Sequence, residues 1–174
     1  MRPNPRSRAF SLVEVVIAVG IFATAVVVIL ALLPSLTRQN TETSDALMAQ
    51  RLPGALRVEL RRLADADFKA LAAATPIMAA PLADGMSFVA ARDGSRLHSV
   101  AYLPPAAGAL IPQDEQYYLV ETWRFGATPL AYDSTASVLV VYVRVSWPYH
   151  SPGSPDLVVL ADRQQLTFLA SINR

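Results

Sequence analysis

Residues 6–33 read RSRAFSLVEVVIAVGIFATAVVVILALL, and they decide how the rest of the chain is organised. A short arginine-bearing head meets a long apolar run, with one acid, Glu14, near the start of the run. From Val15 to Leu33 no residue carries a charge. A helix needs roughly 20 predominantly apolar residues to cross the hydrocarbon core of a bilayer. The run therefore predicts a membrane-spanning helix over residues 10–33, and the position of Glu14 is its unusual feature. A carboxylate at a helix centre in lipid costs upwards of about 2.5 kcal/mol, so such residues usually have a partner and a task. Arg2, Arg6 and Arg8 all precede the run, and no Lys or Arg lies inside it. A new α-amino group, made by cutting the chain before Phe10, would put a positive charge about one helical turn from Glu14.

Ala9-Phe10-Ser11-Leu12-Val13-Glu14-Val15 resembles the prepilin cleavage and methylation motif of type IV pilins and type II secretion pseudopilins. The resemblance implies that a prepilin peptidase cuts between Ala9 and Phe10 and methylates the new amino terminus of Phe10. It also implies that Glu14, fifth in the mature chain, is the assembly glutamate. Ala9 stands where the family usually has Gly. The implied fold is α+β and pilin-like, a long N-terminal membrane helix packed on a C-terminal antiparallel sheet. The implied partners are the prepilin peptidase, other pilin-like subunits, an inner-membrane assembly platform and membrane lipid. The implied location is the bacterial inner membrane, single-pass, with the C-terminal domain periplasmic, and then the assembled filament.

Residues 1–9 hold three arginines, two prolines and no acid. Lys and Arg are retained on the cytoplasmic side, so this head reads as a cytoplasmic leader. A secretory signal places its apolar region before the cut, whereas here Ala9 precedes the apolar region. The competing reading is an uncleaved signal anchor that tethers a periplasmic binding module.

Beyond the span, about 140 of the 174 residues remain, enough for one modest domain. Net charge is +1, the arginines are spread along the chain, and Arg61-Arg62 is too short for a nucleic-acid patch. The absence of cysteine rules out disulfides, thiolate metal sites and cysteine nucleophiles, without excluding the periplasm. Many major type IV pilins close a C-terminal loop with a disulfide, so the resemblance is nearer to a pseudopilin or minor pilin.

Pro34 ends the apolar run. Residues 35–45 are polar and not strong helix formers alone; the resemblance implies that the helix continues through them. Residues 46–51 and 55–74 read as helix, with Leu52, Leu56, Leu60 and Leu63 recurring as one stripe that predicts a core face. Pro34 and Pro53-Gly54 are where the helix is expected to bend or break, and one kinked helix or two helices both fit. Four regions follow: leader 1–9, membrane helix 10–33, helical continuation 34–74 and sheet domain 75–174.

In the sheet region, residues 86–92 and 96–103 flank Asp93-Gly94-Ser95, a hairpin signal. Residues 117–125 alternate, placing Tyr117, Leu119, Trp123 and Phe125 on one face with Glu121 breaking it. Glu121 is expected at an edge or paired with an arginine. Residues 137–147 form the clearest strand, with Leu139, Val141, Val143, Val145 and Trp147 on its apolar face. Residues 157–161 and 166–172 complete the sheet, either separately or as one strand bulged near Asp162-Arg163. VRVSWP at 143–148 and TFLASINR at 167–174 resemble the last strands of a pseudopilin-like family, the Verru_Chthon cassette protein B group.

No residue set has catalytic spacing, and an enzyme is not expected. His98 and His150 are not in a metal-binding spacing, no G-x-S-x-G elbow occurs, and no Gly-rich phosphate loop is present. Asp114-Glu115 are two adjacent acids in a loop, outside any Asp-x-Asp-x-Asp-Gly calcium pattern. No metal or cofactor is expected. Trp123, Trp147, Tyr117 and Tyr118 are read as packing residues rather than a binding platform.

Overall fold

The computed structural model describes residues 11–79, 84–100, 108, 110–133, 135, 138–151 and 156–173. The chain divides into two compact units, Met1–Ser44 and Asp45–Arg174. It is an α+β protein with two helices followed by a five-stranded antiparallel sheet.

The first helix, α1, spans Leu12–Ala49 and runs unbroken through Pro34. Residues 12–33 rise about 33 Å at 1.5 Å per residue, close to the roughly 30 Å of a bilayer core. The hydroxyls along α1 bond back to their own helix, Thr24 to the Gly20 carbonyl at 2.9 Å and Thr37 to that of Leu33 at 2.9 Å. This pairing lets polar side chains sit on an apolar helix without an outside partner. Valines, isoleucines and leucines from Leu12 to Leu36, the half-buried Val26 apart, are exposed all round the helix.

The helical path is interrupted at Gln50 and Arg51, and α2 spans Leu52–Ala74 with proline in its first turn. Neither proline has an N–H to offer the carbonyl one turn back; Pro34 is absorbed within α1, whereas Pro53 sits in the first turn of α2, where that N–H has no intrahelical partner to lose. The expected bend near residue 53 is thus a boundary between two helices. A second irregularity, at Asp67 (φ −160°, ψ 102°), was not foreshadowed by any proline or glycine. There the Asp67 carboxylate accepts the Ala70 N–H at 2.9 Å, capping the last turns of α2 as a fresh helix start.

The strands are β1 (Met86–Ala91), β2 (Leu97–Ser99), β3 (Gln116–Arg124), β4 (Val138–Trp147) and β5 (Gln164–Asn173), in the sheet order β2-β1-β3-β4-β5. The β1–β2 hairpin turns where Asp93-Gly94 predicted it, with Gly94 at φ 66°, a conformation glycine adopts without penalty. The expected continuation to residue 103 enters residues 101–107, outside the described ones. The expected strand at 157–161 does not form. Leu157 makes one bridge to His150, residues Leu160–Asp162 turn as a 3-10 helix, and β5 begins after it.

Within the second unit the leucine stripe lies in the core as expected. Leu52, Leu56, Leu60 and Leu63 are fully buried, joined by Ala49 from the end of α1. Leu139, Val141, Val143, Val145 and Trp147 supply the facing layer. On β3 the helix-side residues are Tyr118 and Val120. The aromatic face read from the sequence, with Trp123 and Glu121, is the opposite face, and it too is buried. There the Arg144 guanidinium lies over the Trp123 ring and Gly85 packs against its indole, while Leu119 is only half-buried.

Candidate functional site

The residues singled out by the N-terminal motif divide in two. Ala9 and Phe10 lie outside the described residues. Glu14 stands in the first turn of α1 and is exposed. Its backbone N–H donates to the Ser11 hydroxyl at 3.2 Å and to the Ser11 carbonyl at 3.1 Å. Ser11 is therefore the N-cap of α1 and Glu14 its third residue, the S-x-x-E arrangement of a capping box. A carboxylate in the first turn also meets the positive end of the helix dipole. The sequence carried this signal in Ser11-Leu12-Val13-Glu14, and the prepilin reading passed over it. No Lys or Arg occurs in α1 before Arg38. One turn further in, Ile17, Gly20, Ile21, Thr24 and Val28 line an open apolar groove of about 730 Å³ along α1. Gly20 and Thr24 are small and leave a depression between the larger side chains there.

The second unit concentrates its charges in three places. The first is Asp45, which is buried. The Arg92 guanidinium donates to both of its oxygens at 3.1 Å, and the Tyr117 hydroxyl donates to Oδ2 at 2.7 Å. The Tyr118 hydroxyl donates to the Asp45 main-chain carbonyl at 2.9 Å. Arg92 also lies over the Tyr117 ring, 4.7 Å from its centre. Burial, then the nearby Asp45 carboxylate, hold both phenols well above the usual tyrosine range, so they stay protonated and donating. The Asp45 hydrogen bond raises the already high Arg92 value further. Residues 72 and 73 positions apart in sequence are thereby fastened together.

The second place is the far face of the sheet. Arg144 donates from Nε and Nη2 to Oε2 of Glu121 at 3.1 and 2.8 Å and lies 5.0 Å from the Trp123 ring centre. Glu121 thus pairs with an arginine, as one of its two expected settings, and lies on a central strand rather than an edge. Trp123 packs so close to Gly85 that a Cβ there would meet the indole at 2.9 Å. Arg163 stacks 5.0 Å from the Tyr149 ring centre and donates to the Val158 carbonyl at 2.8 Å. Burial lowers the Arg163 value.

The third place is an open groove of about 390 Å³ bordered by Arg92, Arg96, Asp114, Glu115, Tyr117 and His150. Both of its arginines are already paired, Arg96 with Glu115 and Arg92 with Asp45. His98 is buried, with Nδ1 against the Ser99 carbonyl at 2.9 Å and Nε2 accepting the Ile111 N–H at 3.2 Å. Among the described residues no three His, Cys, Asp or Glu side chains gather as metal ligands do. Ser146 Oγ and Trp147 Nε1 are buried without a hydrogen-bond partner among those residues, but neighbouring strand positions send them to opposite faces. The four aromatics do not share a face either. Tyr118 and Trp147 lie in the helix-side core, with Tyr117 packed against it, and Trp123 is buried on the far side.

No protein-family model, no curated protein and no solved structure matches this chain.

Proposed function

We propose that this chain is a pilin-like structural subunit, a pseudopilin or minor pilin, of an envelope filament of the type II secretion or type IV pilus kind. The observation that carries the reading is the register of Ala9-Phe10-Ser11-Leu12-Val13-Glu14 against the apolar run: the acid falls in the first turn of α1, exposed, on a helix with no cation before Arg38. In this reading the arginine head stays in the cytoplasm and the C-terminal domain is exported. Prepilin peptidase removes residues 1–9, and with them three positive charges that would resist extraction from lipid. The amino terminus of Phe10, in the same or a neighbouring subunit, then answers Glu14. Apolar side chains exposed on α1, and the small residues Gly20 and Thr24 among them, suit close packing against other subunits' helices. The inner-membrane assembly platform and lipid are the remaining partners, and no nucleic acid is called for.

A second reading has a specific observation in its favour. The Ser11 hydroxyl caps α1 by accepting the Glu14 N–H, and a carboxylate in that first turn meets the positive end of the helix dipole without any second subunit. In that reading the chain is an uncleaved membrane anchor, and the second unit is a binding module.

The intact mass of the full chain, produced with a prepilin peptidase and purified from membranes, separates the two. The filament reading expects a chain starting at Phe10 with one added methyl group, and Glu14→Ala processed as well but excluded from filaments. A chain retaining residues 1–9, or Glu14→Ala incorporated normally, would overturn it.

A further inference from the structure

The two edges of the sheet are built differently. At one end β2 is three residues long, its residues are buried, and the Ile111 N–H reaches across to His98. At the other end β5 is ten residues long and pairs in unbroken register with β4 alone among the described residues. Sheet edges in soluble domains are usually kept from pairing by charged residues, proline, a bulge or shortness. The β5 sequence, QQLTFLASIN, has no charge, no proline and no glycine, and its pairing with β4 records no bulge.

Its exposed face has a further property. Gln165, Thr167, Leu169, Ser171 and Asn173 alternate on that face and are all exposed, Leu169 by 59%. Read in either direction from Leu169, the order is hydroxyl, then amide. An antiparallel strand reverses direction, so a second β5 laid alongside the first with Leu169 on the two-fold axis sets like against like. Leu169 faces Leu169, Thr167 faces Ser171 and Gln165 faces Asn173. Apolar, hydroxyl and amide pairs are the favourable cross-strand combinations. On the helix-side face the same register sets Phe168 against Ala170, a large residue against a small one. A two-fold interface demands this kind of self-complementarity.

We propose that β5 is a self-pairing edge, through which two copies of this chain join antiparallel about Leu169 into one continuous sheet. The occupant is a second β5 rather than β2, because β2 offers only three buried residues. It is a second copy rather than an unrelated strand, because only a copy meets the palindromic order with itself. The inference stands apart from the filament reading, since it needs neither cleavage before Phe10 nor Glu14.

The chain contains no cysteine, so one introduced thiol is unique. The test uses the full chain in detergent under mild oxidation. Leu169→Cys should form disulfide dimers about tenfold faster than Val58→Cys, a still more exposed position on α2, because directly opposed Cβ atoms lie about 5 Å apart. Thr167→Cys mixed with Ser171→Cys should cross-link better than either alone. Leu169→Lys, which sets two ammonium groups face to face outside the core, should weaken dimerisation about tenfold while leaving tryptophan fluorescence unchanged. Equal cross-linking at positions 169 and 58 would overturn the proposal, and is what dimerisation through α1 would give. Dimerisation of Leu169→Lys at the original strength would overturn it too.

Discussion

The residue 12–33 stretch of α1 and the whole of α2 are both helices rich in leucine and alanine, yet they dispose of apolar surface in opposite ways. In α2 the large apolar side chains, Val58 apart, fall on one stripe and are buried within their own unit, while Arg57, Arg61 and Lys69 take the exposed faces. In α1 the large side chains point in every direction and are exposed. An amphipathic helix finds its apolar partner inside the chain, whereas a helix apolar all round must take one from lipid or from neighbouring chains. The carboxylate–guanidinium pairs measure the same difference. Glu121–Arg144 is nearly sealed in the second unit, Asp45–Arg92 is sealed on the acid side alone, and Arg38–Glu42 in the first unit is open on both.

The sealed pair gives the largest effect. Glu121 and Arg144 side chains are only 7% and 12% exposed. Glu121→Ala would leave a guanidinium buried without its carboxylate, at a cost of about 3–5 kcal/mol. Both tryptophans lie in the second unit, so their fluorescence during urea unfolding of the full chain in detergent reads that unit directly. The expected outcome is a large fall in the urea midpoint, recovered in good part when Arg144 is also replaced by methionine. A midpoint unmoved by Glu121→Ala would mean that water reaches this pair and that the two units differ less than their burial indicates.

Much of the second unit was legible because its elements obey one burial rule each. The stripe Leu52, Leu56, Leu60, Leu63 allows a helix one buried face, and the alternation from Leu139 to Trp147 allows a strand one. Asp93-Gly94 marked a turn because Gly94 takes a positive φ cheaply. The reading of β3 failed where that rule fails. On a central strand covered on both sides, Tyr118 and Trp123 are equally buried on opposite faces, and alternation does not say which one meets the helix. Asp45 was invisible for another reason. In sequence it closes a polar run, and its partners, Arg92 in the turn after β1 and Tyr117 on β3, are joined to it only by the fold. Val158 and Val159 look like strand, but the Val158 N–H donates to the Tyr149 carbonyl instead of joining the sheet. In the first unit the capping pattern of Ser11 and Glu14 was legible and competed with the prepilin motif for the same residues.

Asp45→Ala comes next in size. It removes a buried acceptor from the Tyr117 hydroxyl and from Arg92, but Arg92 is 56% exposed and can turn to water. The Tyr118 bond to the Asp45 main chain survives the change. The expected cost is about 1–2 kcal/mol, with faster amide exchange concentrated in the last turn of α1, near Ala49. Slow exchange there in the variant would show that Ala49 and its apolar neighbours hold the helix end unaided.

The smallest effect belongs to Arg38–Glu42, and it tests the comparison from the other side. The pair has good geometry, 2.8 Å at the favourable four-residue spacing, but its side chains are 83% and 45% exposed. Water and salt screen such a pair, and its arginine sits N-terminal to its acid, the weaker order for a helix dipole. Arg38→Ala is therefore expected to cost at most about 0.5 kcal/mol and to leave the urea midpoint of the tryptophan-bearing unit where it was. A fall comparable to that of Asp45→Ala would mean that residues 35–44 share the cooperative unfolding of the second unit. The boundary at Ser44 and Asp45 would then mark a change in packing density and not a change in which residues unfold together.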